Sequence, residues 1–329
     1  MLSVTYKTLN WVCLAALCLI GAYTAAGQAT RSAATKSGAF SFVAFGDMPY
    51  HLPADYARFE NLIREVNRQD QVFNVHLGDI KSSETDCSDD YYHKILGYFN
   101  QFTKPLIYTP GDNEWTDCNK YTPGKYDIDE RLTMIRRLFF DGKHSLGRER
   151  LAVVAQSQQP TFARYVENNR WEHGNVAFAT VHIVGTNNNF YPDPNGNNAE
   201  FYDRQKADIA WLDEVFDRAK TAGNSAVVLF TQADMYNPAK DAKEANAFTA
   251  IKKKLQERTV AFGKPVLLVN GDSHVFLVDK PMYETGKKDL DLFTRVQVFG
   301  EDNIHAVSIT INPARPGLFQ IEPLMIPGN

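Results

Sequence analysis

"LIYTPGDNEWTDC", residues 106–118, holds the reading that decides the fold. An apolar run, Leu106 to Tyr108, breaks at Pro110-Gly111, and Asp112, Asn113 and Glu114 follow in one tight turn, with Cys118 just beyond. A strand that ends in so many carboxylate and amide groups suits either a solvated loop or a metal ion. The same break recurs in "FGDMPY" (45–50), "LGDIKS" (77–82) and "NGDSHV" (270–275), each a Gly-Asp at the carboxyl end of an apolar run. One Gly-Asp is an ordinary turn. Repetition after successive strands is a stronger signal, because the carboxyl ends of strands are where open α/β sheets bind ligands. Carboxylates that converge there repel one another unless a cation lies between them, and a pair of divalent metals bridged by one Asp is the usual arrangement.

Around these turns the chain alternates. "FSFVAFG", ending at Gly46, reads as a strand, and Phe59, Leu62, Ile63 and Val66 then recur at helical spacing. "QVFNVHLGD" and "KPLIYTPGD" are further strands, separated by a helix around Tyr91 to Phe102, and "IDERLTMIRRLFF" is helical again. The middle offers strands at 161–167 and 175–185 and a long helix at 199–221. "SAVVLFTQAD" and "PVLLVNGDSH" are two more buried strands with a Lys-rich helix at 242–258 between them, and the tail from Val275 to Ile326 is β-rich. Continuous Val/Ile/Leu/Phe strands covered by helices define an α/β core. The β-rich tail implies a second sheet packed on the first. No Pro/Gly-rich linker divides the chain, so residues 40–329 are expected to form a single domain.

The chain has 329 residues, 44% hydrophobic and 22% charged, with net charge −4. That balance supports a sizeable core and offers no electrostatic attraction for nucleic acid or an anionic membrane. Lys7, the apolar run Trp11 to Tyr23 and the small residues of "TAAGQA" have the pattern of an export signal, with cleavage expected after Ala26. The run is short for a membrane span. Residues 27–39 read as a disordered leader. With Cys13 and Cys18 inside the signal, Cys87 and Cys118 remain, an even pair that suggests one disulfide in an exported, periplasmic or secreted protein.

Asp47, Gly78-Asp79, "GDNE" at 111–114 and "GDSH" at 271–274, in that order, resemble the motif set of the calcineurin-like metallophosphoesterases, in a divergent bacterial branch. The helix "QKADIAWL", ending at Leu212, resembles the one that precedes the family's fourth motif. The resemblance implies a four-layer αββα sandwich and two metal ions. One ion would take Asp47, the bridging Asp79 and His274; the other would take Asp79, Asp112, Asp272 and either Gln232 or Asp234. Pro49, Asn113, Asp272 and Gln232 or Asp234 stand where the family has histidines or the asparagine-histidine pair. The second set is therefore all oxygen, which favours manganese or magnesium over zinc or iron.

The implied chemistry is hydrolysis of a small-molecule phosphate mono- or diester by a metal-activated water. Asn113 occupies the leaving-group position, and an amide donates a hydrogen bond but no proton. His51 is a candidate substitute acid, Lys81 a candidate phosphate binder, and Glu114 a support behind the turn. His76 and His182, inside strands, read as core residues. Two alternatives remain: a metal- or phosphate-binding module with weakened catalysis on the same fold, and a nuclease-like hydrolase.

Overall fold

The computed structural model describes residues 38–193, 196–237, 247–283 and 289–329. The expected signal and most of the leader lie outside the described residues, as does the start of the Lys-rich segment at 242–258. Among the described residues, twelve strands form two mixed sheets.

The first sheet contains β1 (Phe40–Phe45), β2 (Asn74–His76), β3 (Leu106–Tyr108), β11 (Ala306–Ile311) and β12 (Phe319–Leu324), in the order β12-β11-β1-β2-β3. Its strands β1, β2 and β3 run parallel. The second contains β4 (Val154–Ala155), β5 (Asn169–His173), β6 (Val176–Thr180), β7 (Ala226–Phe230), β8 (Val266–Asn270), β9 (Leu277–Asp279) and β10 (Phe293–Gln297). Its order is β4-β5-β6-β7-β8-β10-β9, with β6, β7, β8 and β10 parallel. The tail thus divides between the sheets: β9 and β10 complete the second, and β11 and β12 return to the first.

Helices α1 (Ala54–Val66), α2 (Asp89–Phe99) and α3 (Ile128–Phe139) cover the outer face of the first sheet, and α4 (Ala199–Ala222) and α5 (Thr249–Phe262) cover that of the second. The two-residue strand period explains the layering. In β1, Val43 and Phe45 face the helices while Phe42 and Ala44 face the other sheet. In β7, Val227 and Leu229 face α4 and α5 while Val228 and Phe230 face inward. Between the sheets lies an aromatic layer in which Phe42 meets Phe230 edge-on at 5.5 Å and Trp171 stacks on Phe178 at 5.5 Å. Burying each such ring contributes about 2–3 kcal/mol.

One expectation fails locally. Residues 161–167 form no strand: Pro160–Phe162 is a short 3-10 turn, and the strand lies further on, at β5. Pro160 supplies no N–H for a ladder.

His76 in β2 is fully buried among Phe45, Phe59, Phe99 and Tyr108, and neither ring nitrogen has a partner in ordinary hydrogen-bond geometry. Burial pushes its pKa down to about 3, against a weak opposing pull from the Met48 backbone. The unfolded chain therefore takes up this proton first, and stability falls as pH drops below about 6.5. At pH 4.5 the loss is about 2–3 kcal/mol. Urea midpoints at pH 7 and 4.5 should lie closer together in His76→Leu than in the wild type; an equal separation would exclude this source of acid sensitivity.

Candidate metal centre

The parallel strands of both sheets end at one edge. Asp47 follows β1, Asp79 follows β2 and Asp112 follows β3; from the second sheet, Gly185 follows β6, Gln232 follows β7, Asp272 and His274 follow β8, and Glu301 follows β10. Asp47, Asp79, Asp272 and His274 all adopt the left-handed backbone region, with φ of 55°, 52°, 74° and 59°. That conformation is strained for a residue with a Cβ and gathers at functional sites. Backbone bonds hold the turns together: Asp47 N–H donates to Gly78 O at 3.0 Å, Met48 N–H to Asp79 O at 3.0 Å, and Glu301 N–H to Asp47 O at 2.8 Å.

Asp47 Oδ1 accepts the Asp272 N–H at 3.0 Å and lies 3.5 Å from His274 Nε2, whose other nitrogen meets Glu301 at 3.0 Å. Asp79 Oδ2 accepts from Tyr50 Oη at 2.9 Å, Asn113 Nδ2 at 3.0 Å and Gln232 Nε2 at 3.2 Å, and its Oδ1 accepts the Asn113 N–H at 3.1 Å. Asp112 Oδ2 accepts from Thr186 Oγ1 at 2.5 Å. Thr186 opens a run of left-handed residues, Thr186 to Asn189. Fully buried Arg204 of α4 braces that run through Asn188 O at 2.9 Å and Asn188 Oδ1 at 2.5 Å.

Burial raises the pKa of Asp47, Asp79 and Asp112. For Asp79 the neighbouring Asp112, Glu114 and Asp47 add to it, and Asp112, facing Asp272, is pushed up to about 7. Burial acts downward on His274, but Asp47 and Glu301 override it and push its pKa up to about 9. Asp47 Oδ2 and Asp112 Oδ1 are buried with no hydrogen-bond partner. Among the described residues no three His, Cys, Asp or Glu side chains already surround a common point as ligands. The carboxylates are instead held by hydrogen-bond donors and by the imidazole. Orphaned anionic oxygens beside raised carboxyls fit a set of groups that a divalent cation would satisfy.

The remaining sequence candidates sort clearly. Glu114 stands behind the turn, accepting from Tyr108 Oη and Gly111 N–H at 2.7 Å each. Gln232 lies beside Asp79, although its amide oxygen accepts from Gly185 N–H at 2.6 Å and only its amino group faces the carboxylate. Asp234 is drawn away by Arg295, 2.5 Å, and Ser273 Oγ, 2.7 Å. His51 sits at the exposed rim, 3.1 Å from Asp302. Lys81 departs from its expected role. Its ammonium is fully buried and donates to Asn113 O at 2.6 Å and Ser82 O at 3.0 Å, so it ties two loops together beneath the cavity instead of facing a phosphate.

Glu301 escaped the sequence reading, and Tyr50 entered it only as the last residue of "FGDMPY"; Thr186 belongs to "GTNNN" (185–189), which the sequence offers as a polar loop after a strand, either a cleft lining or a plain turn, with no role for Thr186 itself. Cys87 and Cys118 are joined, and both sulfurs pack 3.8–3.9 Å from Asn113 O. The bridge thus ties the loop after β2 to the loop after β3. With its ends 31 positions apart in sequence, chain entropy assigns it about 3–4 kcal/mol. Replacing both cysteines by Ser should lower the denaturation midpoint accordingly and loosen the Asn113 loop, read as faster amide exchange over 111–119; unchanged exchange there would confine the bridge to a global role.

No protein-family model matches this sequence, and no curated protein does. Solved structures do. A dimetal phosphatase from Danio rerio superposes with a TM-score of 0.51 at 10% identity, over 87% of this chain and 99% of that one. GAP50, the anchor in the inner membrane complex of Plasmodium, gives 0.48 at 9% identity over 88% and 90%, and a 5'-nucleotidase from Candida albicans gives 0.46 at 11% over 86% and 50%. The chain has the αββα fold of the calcineurin-like metallophosphoesterases. Among the described residues no helix is long and apolar enough to cross a membrane.

Proposed function

We propose that this chain is an exported, metal-dependent phosphoesterase that hydrolyses a small phosphate mono- or diester. The observation that carries the reading is the convergence of Asp47, Asp79 and Asp112 at adjacent strand ends, all buried, with unpartnered oxygens on Asp47 and Asp112. The disulfide and the N-terminal sequence pattern support export.

Asp47, Asp79 and His274 would hold one ion; Asp79, Asp112, Asp272 and Gln232 would hold the other. Gln232 would first have to turn its amide over, releasing Gly185 N–H. The oxygen-rich second set favours manganese or magnesium. Bound there, divalent ions supply Lewis-acid polarisation of a phosphoryl oxygen and an activated water. Asn113 and Tyr50, hydrogen-bonded to each other at 2.9 Å and both donating to Asp79, hold that carboxylate in place, and would turn a donor to the leaving-group side of an ester only by releasing it. Tyr50 has its pKa raised by burial and by the surrounding carboxylates, so its hydroxyl stays protonated as a donor. His51 stands at the mouth.

The test is hydrolysis of bis-(p-nitrophenyl) phosphate and p-nitrophenyl phosphate with added Mn²⁺, Mg²⁺, Zn²⁺ or Ca²⁺. Metal-dependent turnover, strongest with Mn²⁺ or Mg²⁺, is the expected result. Metal binding by calorimetry with no turnover of either ester would replace the enzyme by a binding module, the reading that Asn113 in the leaving-group position favours.

A further inference from the structure

The run 185–189 touches Asp112, Asp272 and Gln232, the donors that only the second ion would use. Thr186 Oγ1 donates to Asp112 Oδ2, and Gly185 N–H donates to Gln232 Oε1 at 2.6 Å. Gly185 also makes room for two carboxylates: a Cβ there would lie 2.6 Å from Asp112 Oδ1 and 2.9 Å from Asp272 Oδ1. Asp47 and His274, which only the first ion would use, are held from elsewhere, by Asp272 N–H and by Glu301.

The run does not support itself. Thr186, Asn187, Asn188 and Asn189 are successive left-handed residues, with φ of 46°, 49°, 56° and 60°, and Thr186 is β-branched. Such backbone persists only where its surroundings over-determine it. Arg204 supplies that constraint. Besides its two bonds to Asn188, its guanidinium donates to His182 O at 2.9 Å and to Glu200 at 2.7 and 3.1 Å. Glu200 in turn accepts from Asn189 Nδ2 at 2.9 Å. The same guanidinium lies over the Trp115 ring at 5.4 Å. Trp115 belongs to the turn of Asp112, to whose carbonyl it donates its N–H at 3.2 Å. Arg204 thus braces Asp112 from both sides, through the turn that carries it and through the run that orients its carboxylate.

We propose that Arg204 is a positioning residue for the second metal ion, acting through Asn188 and Thr186 on the carboxylate of Asp112 and leaving the first ion alone. This rests on the two-ion reading and adds the residue that decides how well the second site is filled. Lysine cannot replace it. It keeps the charge but offers three donors from one point in place of a planar fork.

The test is calorimetric titration of the metal-free protein with Mn²⁺, with ester turnover read separately. Two ions should bind the wild type. In Arg204→Lys one of them should bind about 10- to 100-fold more weakly, the range for groups that orient a metal's ligands, with the other unchanged. Thr186→Val keeps the branched shape without the hydroxyl and should weaken the same ion; Thr186→Ser, which keeps the hydroxyl, should restore it. The Arg204→Lys/Thr186→Val double variant should be no worse than the weaker single, because both changes act on one contact. Should Arg204→Lys not fold, Asn188→Gly takes its place in the cycle: it removes the side-chain acceptor, and glycine suits the φ of 56°. Equal weakening of both ions would make Arg204 merely structural, and additive losses or an unaffected Thr186→Val would break the route through Thr186; each overturns the proposal. Fewer than two ions on the wild type would overturn it together with the two-ion reading. Two ions without turnover of either p-nitrophenyl ester would remove only the enzyme, and the same binding data would still decide the role of Arg204.

Discussion

Asp79→Asn is expected to lower metal-dependent hydrolysis of bis-(p-nitrophenyl) phosphate by about a thousandfold or more. Asp79 is the carboxylate on which the arrangement converges. Tyr50, Asn113 and Gln232 all donate to it, and it would be shared between both ions. Amide replacement keeps its shape and removes its charge. The effect on folding should be small, because two changes oppose each other. Repulsion from Asp112, Glu114 and Asp47 disappears, while a new amino group faces one of the donors that now serve the carboxylate, such as the Asn113 N–H. A melting temperature within about 3 °C of wild type, with activity gone and Mn²⁺ binding weakened in calorimetry, is the expected combination. Retained turnover would remove Asp79 from the chemistry.

Gly111→Ala should damage fold and function together. A Cβ at this position would lie 2.1 Å from Asp79 Oδ1 and 2.5 Å from Asp79 N, and the second of these is main chain that cannot rotate aside. The close approach is mutual: a Cβ built on Gly78, whose φ is +85°, would in turn lie 2.4 Å from Gly111 N. Overpacking of this kind costs about 3 kcal/mol, which corresponds to a fall of about 5 °C in melting temperature for a domain of this size. Gly97 in α2 is the matched control: a Cβ there meets nothing within 4 Å, and Gly97→Ala should be neutral or slightly stabilising. Equal melting curves for the two variants would show that the 78–111 contact is slack.

The layered architecture was legible because strand alternation and the Gly-Asp breaks are local patterns. Phe42 and Val43, one residue apart, already announce opposite faces. The assignment of strands to sheets was less visible, because β10 and β11 are neighbours in sequence yet join different sheets. At the site, residues adjacent to a Gly-Asp could be named. The pairings made across the fold could not: the polar loop 185–189 was visible, but not that its Thr186 meets Asp112 from 74 residues away, nor that Glu301 meets His274 from 27. Lys81 shows the reverse error. Two residues from Asp79 in sequence, it points down into the loops, where two carbonyls hold a cation that burial lowers to about 8 despite Glu114 and Asp79.

The aromatic layer between the sheets has a consequence at the far edge of the molecule. Asp47, Asp79 and Asp112 are carried by the first sheet, and Gln232, Asp272 and His274 by the second. The gap between the two donor groups is therefore gauged by the thickness of the ring layer formed by Phe42, Phe178 and Phe230. Those rings act as a spacer in a calliper whose jaws are the two rows of loops. A lineage on this scaffold could retune the span between its jaws, and with it the ions and esters that fit, by changing ring size in the spacer while leaving every jaw residue untouched.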